Sequence, residues 1–115
     1  MSKFQVKKSK SFDRDIDRVV SFLTIAEYDS ASIKNVLEGF FTDMKRLRKT
    51  PYIGAKLSNK TSIPNDYRYL ISDKYLIFYK VYESERLVRI YHVYHSREPY
   101  LVKLGLNDIE FDDVE

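Results

Sequence analysis

The chain has 115 residues, 43% of them apolar and 32% charged, the balance of one soluble globular domain with a single modest core. It holds no cysteine and only two histidines, which excludes disulfides and thiolate metal sites, leaves little for a histidine-rich site, and suits a reducing compartment. The longest apolar run, residues 75–79, is too short to cross a bilayer, and the first twelve residues lack the apolar stretch of a signal peptide, so a cytoplasmic protein is expected.

Charge is unevenly placed. Residues 1–105 carry all 20 Lys/Arg and 12 of the 17 Asp/Glu, a balance of +8, whereas 106–115 hold five acids and no base. The expected organisation is one domain over 1–105 and an acidic tail over 106–115. A basic body suits a nucleic-acid or acidic-protein partner, with a merely solvated surface as the plain alternative. The tail reads as solvating, or as a segment that docks on the basic body through Ile109 and Phe111.

Residues 4–8 alternate, with Phe4 and Val6 opposite Gln5 and Lys7, and predict a short strand able to pair as an edge of the later sheet. Ser9 or Ser11 then caps a helix, with Asp13, Asp15 and Asp17 in its first turns, where the helix dipole favours acids. Phe12, Ile16, Val19, Val20 and Leu23 form its apolar stripe, and it ends near Tyr28. Asp29 or Ser30 caps a second helix with the stripe Ile33, Val36, Leu37, Phe40, Phe41, Met44 and Leu47. Gly39 within it would permit close approach of the first helix. Thr50-Pro51 ends the helix, and Lys45, Arg46, Arg48 and Lys49 in its last turn complement the carbonyl end of the dipole or contact phosphate. The short connection predicts an antiparallel helical hairpin. Residues 51–57 link to the sheet, with Gly54 in a conformation other residues resist, and 58–65 form a polar loop.

Residues 67–100 dominate the chain. Three aromatic and β-branched runs, 66–72, 74–82 and 86–95, are separated by breaks long enough for hairpins and too short for crossovers, so an antiparallel meander is expected. A short helix over 98–105 follows, with Pro99 in its first turn and Gly105 at its end. The fold class is α+β: an N-terminal strand, a two-helix hairpin and a twisted antiparallel sheet, β-α-α-β-β-β-α. Alternation sets Val88, Ile90, His92 and Tyr94 opposite Leu87, Arg89, Tyr91, Val93 and His95. The sheet face away from the helices would expose aromatics unless a partner covers it.

A site, if present, lies at the end of this sheet, where His92, His95, Arg97 and Tyr100 fall within nine residues. His92 and His95, three apart on a strand, point to opposite faces and do not make a metal site; no metal or cofactor is expected. Motifs for nucleophilic catalysis and phosphate loops are absent. Acid–base cleavage of RNA is the remaining enzymatic chemistry. It needs a base, an acid and cations for the phosphorane, roles that His95, Tyr100, Arg68 and Arg97 can fill as catalytic residues. The alternative is that His95 and Arg97 hydrogen-bond the turn from strand to helix.

The series Pro51-x-x-Gly54-x-x-Leu57, Tyr67-Arg68, Tyr75-x-x-Phe78-Tyr79-x-Val81 and Ile90-x-x-Val93-x-His95-x-Arg97 resembles the RelE/ParE superfamily of toxins from type II toxin–antitoxin modules. The resemblance spans nearly the whole chain and implies the same β-α-α-β-β-β-α fold, growth arrest and a cognate antitoxin laid across helices and sheet. RelE-like members are mRNA interferases that cut mRNA in the ribosome with basic residues on the sheet; ParE-like members poison DNA gyrase. Arg68 stands where RelE-like toxins place a catalytic lysine, but Leu70, Leu76 and Ser96 stand where further bases are expected. With the His95-x-Arg97 ending and the long hairpin, this favours a ParE-like gyrase inhibitor of the plasmid-stabilization type. A ribosome-dependent mRNA endonuclease using Arg68, His95, Arg97 and Tyr100 is the alternative, and a non-toxic interaction module the second.

Overall fold

A computed structural model describes residues 3–107. The elements are β1 (Gln5–Lys8), α1 (Lys10–Ile25), α2 (Ser30–Arg46), β2 (Ala55–Lys56), β3 (Arg68–Ser72), β4 (Tyr75–Tyr82), β5 (Leu87–His95) and α3 (Tyr100–Lys103). The sheet runs β1-β5-β4-β3-β2, antiparallel throughout except that β1 lies parallel to β5. The two-residue β2 pairs with β3 inside the stretch expected to be only a linker.

Local chemistry sets the boundaries. The Ser9 hydroxyl accepts from the Phe12 N–H and the Asp29 carboxylate from the Ser32 N–H, fixing the two helix starts. Helix α1 stops three residues before Tyr28 because Glu27 turns left-handed, at φ 65°, and the Tyr28 N–H reaches back to the Leu23 carbonyl. Helix α2 ends at Arg46; from Leu47 the chain tightens into bonds spanning three residues, so only Lys45 and Arg46 lie in its last turn. The C-terminal helix is shorter than expected, Tyr100–Lys103, with Pro99 as its cap residue and Gly105 at φ 72° just beyond it.

The helical hairpin packs on one sheet face. Phe12, Val19, Leu23, Phe40, Met44 and Leu47 meet Leu70, Tyr75, Ile77, Tyr79, Val88, Ile90 and Val93 in one buried cluster. The opposite face carries a second cluster of Leu57, Leu76, Phe78, Tyr94 and Leu106. The expectation of an open aromatic face is therefore corrected around Phe78 and Tyr94. Residues 57–63 and α3 fold back over it, and the Phe78 ring is wholly buried, 5.5 Å from that of Tyr100 and 5.7 Å from that of Tyr94. Leu106 closes this layer, its carbonyl accepting from the Thr61 hydroxyl at 2.5 Å. Leu106, expected in the tail, thus packs in the second cluster. Ile109, Phe111 and the rest of 108–115 lie outside the described residues.

The alternation expected for β5 fails at its centre. Tyr79 pairs with Ile90 and Phe78 with His92, so Tyr91 is an extra residue, a β-bulge. Beyond it the faces exchange: Val93 joins Val88 and Ile90 under the helices, and Tyr94 goes to the far cluster. Gly54 is corrected too. It is not the glycine with positive φ; a Cβ there would lie 2.5 Å from the Tyr79 hydroxyl and 2.6 Å from the Tyr69 carbonyl oxygen. At Gly39 a Cβ would meet nothing within 4 Å, so no close helix approach requires it.

Candidate functional site at the end of β5

Strand β1 stops at Lys8, opposite Ile90, and leaves the outer edge of β5 without a strand from Tyr91 onward. Unpaired edge groups in a half-buried site cost about 1–3 kcal/mol each. Side chains of α1 take the missing strand's place. The Ser9 and Ser11 hydroxyls lie 3.2 and 2.7 Å from the Tyr91 carbonyl oxygen. The Val93 N–H donates to Asp15 Oδ2 at 3.1 Å, and Arg18 Nη2 donates to the Val93 carbonyl at 3.2 Å. The series ends with the His95 N–H donating to Glu98 Oε2 at 2.6 Å.

Asp15 is the buried centre of this arrangement. Its Oδ2 is 2.8 Å from His92 Nδ1, with Arg18 Nη2 at 3.8 Å from Oδ1. The His92 ring stacks on Tyr94 at 5.1 Å, and the Tyr94 hydroxyl lies 3.0 Å from the same Nδ1. Burial, then the negative charge of Asp15, pushes the Tyr94 phenol up to about 12, so it stays protonated. By sequence Asp15 is only one of three acids in the first turns of the helix. A signal for its burial was present, because it falls three residues after Phe12 and four before Val19, inside the apolar stripe.

Glu98 is a second hub. Its Oε1 receives Arg18 Nη1 at 2.7 Å and Lys103 Nζ at 2.6 Å. Burial alone would raise its carboxyl, but the hydrogen bonds from Lys103 and the His95 N–H, with the charge of Arg18, outweigh it and hold the group below the usual carboxylate range. His95 Nδ1 accepts from the Arg97 N–H at 3.1 Å, and its ring meets Tyr75 edge-on at 5.2 Å. Accepting at Nδ1 leaves Nε2 as the protonated nitrogen of a neutral ring. A largely apolar cavity of about 580 Å³ opens here between α1 and the sheet, with Phe22 and Tyr75 on its walls and Arg18, His95, Arg97 and Glu98 at its rim.

The four residues proposed for RNA cleavage are dispersed. His95 and Arg97 come together at this cavity. Arg68 does not: it pairs with Tyr79 where His95 pairs with Tyr75, four residues away along β4 or about 13 Å, and two strands across. Its guanidinium donates to the carbonyls of Gly54 at 2.8 Å and Tyr52 at 3.2 Å, and stacks 4.9 Å above the Tyr52 ring. Tyr100 packs on Phe78, beneath the other face. A second, strongly basic groove of about 570 Å³ separates β1 from α2, floored by Phe4, Val6 and Met44 and flanked by Lys3, Lys45 and Arg48. Among the described residues no group of three or more His, Asp or Glu is placed to hold a metal ion, and no helix is long and apolar enough to cross a membrane.

This arrangement of one helical hairpin on a mixed five-stranded sheet is the fold of RelE/ParE-superfamily toxins. It is similar to the solved toxin–antitoxin complex RelBE2 from Mycobacterium tuberculosis, with a TM-score of 0.51, 17% identity, and coverage of 83% of this chain and 93% of that one. The model of the family described as ParE toxin of type II toxin-antitoxin system, parDE, matches residues 6–100, and the chain belongs to that family. No curated protein matches its sequence.

Proposed function

We propose that this toxin arrests growth by inhibiting DNA gyrase and is neutralised by a cognate antitoxin. The family match over residues 6–100 carries the reading. The geometry supports it from the other side. RNA cleavage needs cations free to meet a phosphorane, and Arg68 already donates to two backbone carbonyls. The antitoxin is expected to be an acidic, amphipathic segment, since the groove between β1 and α2 offers an apolar floor between cationic walls. A neighbouring gene product that leaves the melting temperature of the purified chain unchanged would count against that pairing.

Ribosome-dependent mRNA cleavage is the second reading, favoured by the pairing of His95 and Arg97 at a cavity rim. Controlled expression in a bacterial host separates the two. Gyrase inhibition gives growth arrest with DNA-damage signalling while translation continues. Rapid loss of translation with mRNA cut at ribosome-bound codons would instead establish the nuclease, and Arg68, His95, Arg97 and Tyr100 would then be the residues to replace.

A further inference from the structure

The part of the far sheet face that α3 does not cover carries a row of charge. Lys7 of β1 is in register with Arg89 of β5, and Arg89 with Lys80 of β4. Three cations therefore stand side by side over about 10 Å, two strand spacings. Like charges directly opposite one another destabilise a sheet, and none of the three has a carboxylate partner among the described residues. Lys80 is also held in place, its Nζ 4.4 Å from the ring centre of Tyr67 and 5.6 Å from that of Tyr91.

The missing carboxylates come next in the chain. Leu106 packs in the second cluster on this same face, with Ile63 and Tyr67 at its margin, and its carbonyl accepts from the Thr61 hydroxyl. The chain therefore leaves the described body close to the row, because Lys80 is only two residues from Phe78 of that cluster along β4, about 7 Å. Residues 108–115, DIEFDDVE, hold five acids and no base. Asp112, Asp113 and Glu115 supply three carboxylates for three cations, and the three residue steps they cover span about 10 Å when extended, the length of the row. The six steps from Leu106 to Asp112 reach up to about 20 Å, more than the approach requires. Ile109 and Phe111 fall in between, within reach of the partly buried Ile63 and Tyr67.

We propose that residues 108–115 fold back as an intramolecular strap over this row. Asp112, Asp113 and Glu115 pair with Lys80, Arg89 and Lys7, and Ile109 and Phe111 pack at the margin of the second cluster. The other basic surface, the groove between β1 and α2, fits the strap less well. It lies on the helical side, so the same eight residues would have to round the β1 edge of the sheet. Such a strap caps the basic face from within: another acidic molecule meets the row only by displacing it. The strap is on the opposite face from the His95 cavity and does not depend on which target the toxin arrests.

The chain has no cysteine, so Val114→Cys gives the full chain a single site for a nitroxide label. The label is expected to broaden the backbone amide NMR signals of Lys7, Arg89 and Lys80 at low salt, independently of protein concentration. The broadening should weaken at least about twofold between about 0.01 M and about 1 M salt, as the screening length shrinks from about 30 Å to about 3 Å. Neutralising the strap with Asp112→Asn, Asp113→Asn and Glu115→Gln should weaken it as much without added salt. Thermal unfolding gives a second reading: the neutralised strap should lower the melting temperature at low salt by at least about 2 °C. That difference should shrink in an Arg89→Gln background and persist with Arg14→Gln, which removes the same charge from an exposed position on α1. Lys7→Gln, on the exposed edge strand, takes the place of Arg89→Gln if that variant does not fold. The proposal is overturned if the broadening is absent, grows with protein concentration, survives neutralisation of the strap, or falls on Lys45 and Arg48 of the groove instead. It is overturned equally if the Arg89→Gln background leaves the melting difference unchanged.

Discussion

The Gly54 N–H donates to the Tyr79 hydroxyl at 2.8 Å in a buried site, and the Tyr69 backbone closes the other side. Gly54→Ala must move main chain as well as a side chain, and is expected to cost about 2 kcal/mol in chemical denaturation. Tyr79→Phe removes the hydroxyl but leaves its ring carbon at 2.8 Å and the Tyr69 carbonyl, and strands the Gly54 N–H, so in the double variant it should relieve little of that loss. Gly39→Ala should act in the opposite sense, raising stability by about 0.5–1 kcal/mol, because the helix gains propensity and the methyl has open space. At Asp15 the expectation rests on what is left behind. Asp15→Ala strands the Val93 N–H and one partner of His92, for a loss of about 2 kcal/mol, whereas Asp15→Asn keeps an acceptor and loses less.

At the scale of elements, Glu98 ties β5 to α1 and α3 through charge. Its folded carboxyl sits below the ordinary value, so the stability it adds is complete above that value and is lost as pH falls through the lowered one. Glu98→Gln should therefore unfold with a flatter acid limb below about pH 4.5, the ordinary value, while differing little in shape above it. The elements themselves were legible because each obeys its own period: the stripes of α1 and α2 follow the helical repeat, and the three meander strands are dense in Tyr, Ile and Val. The Tyr91 bulge was not legible, since one extra residue leaves composition untouched and only exchanges the faces of the strand residues beyond it. Nor was the partial cover of the far face, because Leu57, Leu101 and Leu106 lie in stretches without periodicity and acquire their role by long-range packing. His95 and Arg97 are two residues apart in the sequence, and the structure sets both at the rim of one cavity. The isolation of Arg68 from them needed the strand register, which a sequence read alone does not give.

At the scale of the molecule, one sheet separates two surfaces of different character: a helical side with a cavity at His95, and a far side with cations and tyrosines. Replacing residues on one should leave the other intact. Arg97→Ala, at an exposed position, is expected to change stability by no more than about 0.5 kcal/mol, which chemical denaturation checks.

The parallel pairing of β1 with β5 joins Gln5 to Leu87, so the first strand synthesised waits for the last. At about 5–20 residues per second on the ribosome, the interval is on the order of 4–16 s. Through it the helical hairpin has been made, but its apolar stripe has no finished sheet to cover. Non-local closure of this kind is slow even once the chain is released. A toxin built this way comes into being late and all at once, which gives any inhibitor already in the cell an interval in which to meet it half-made.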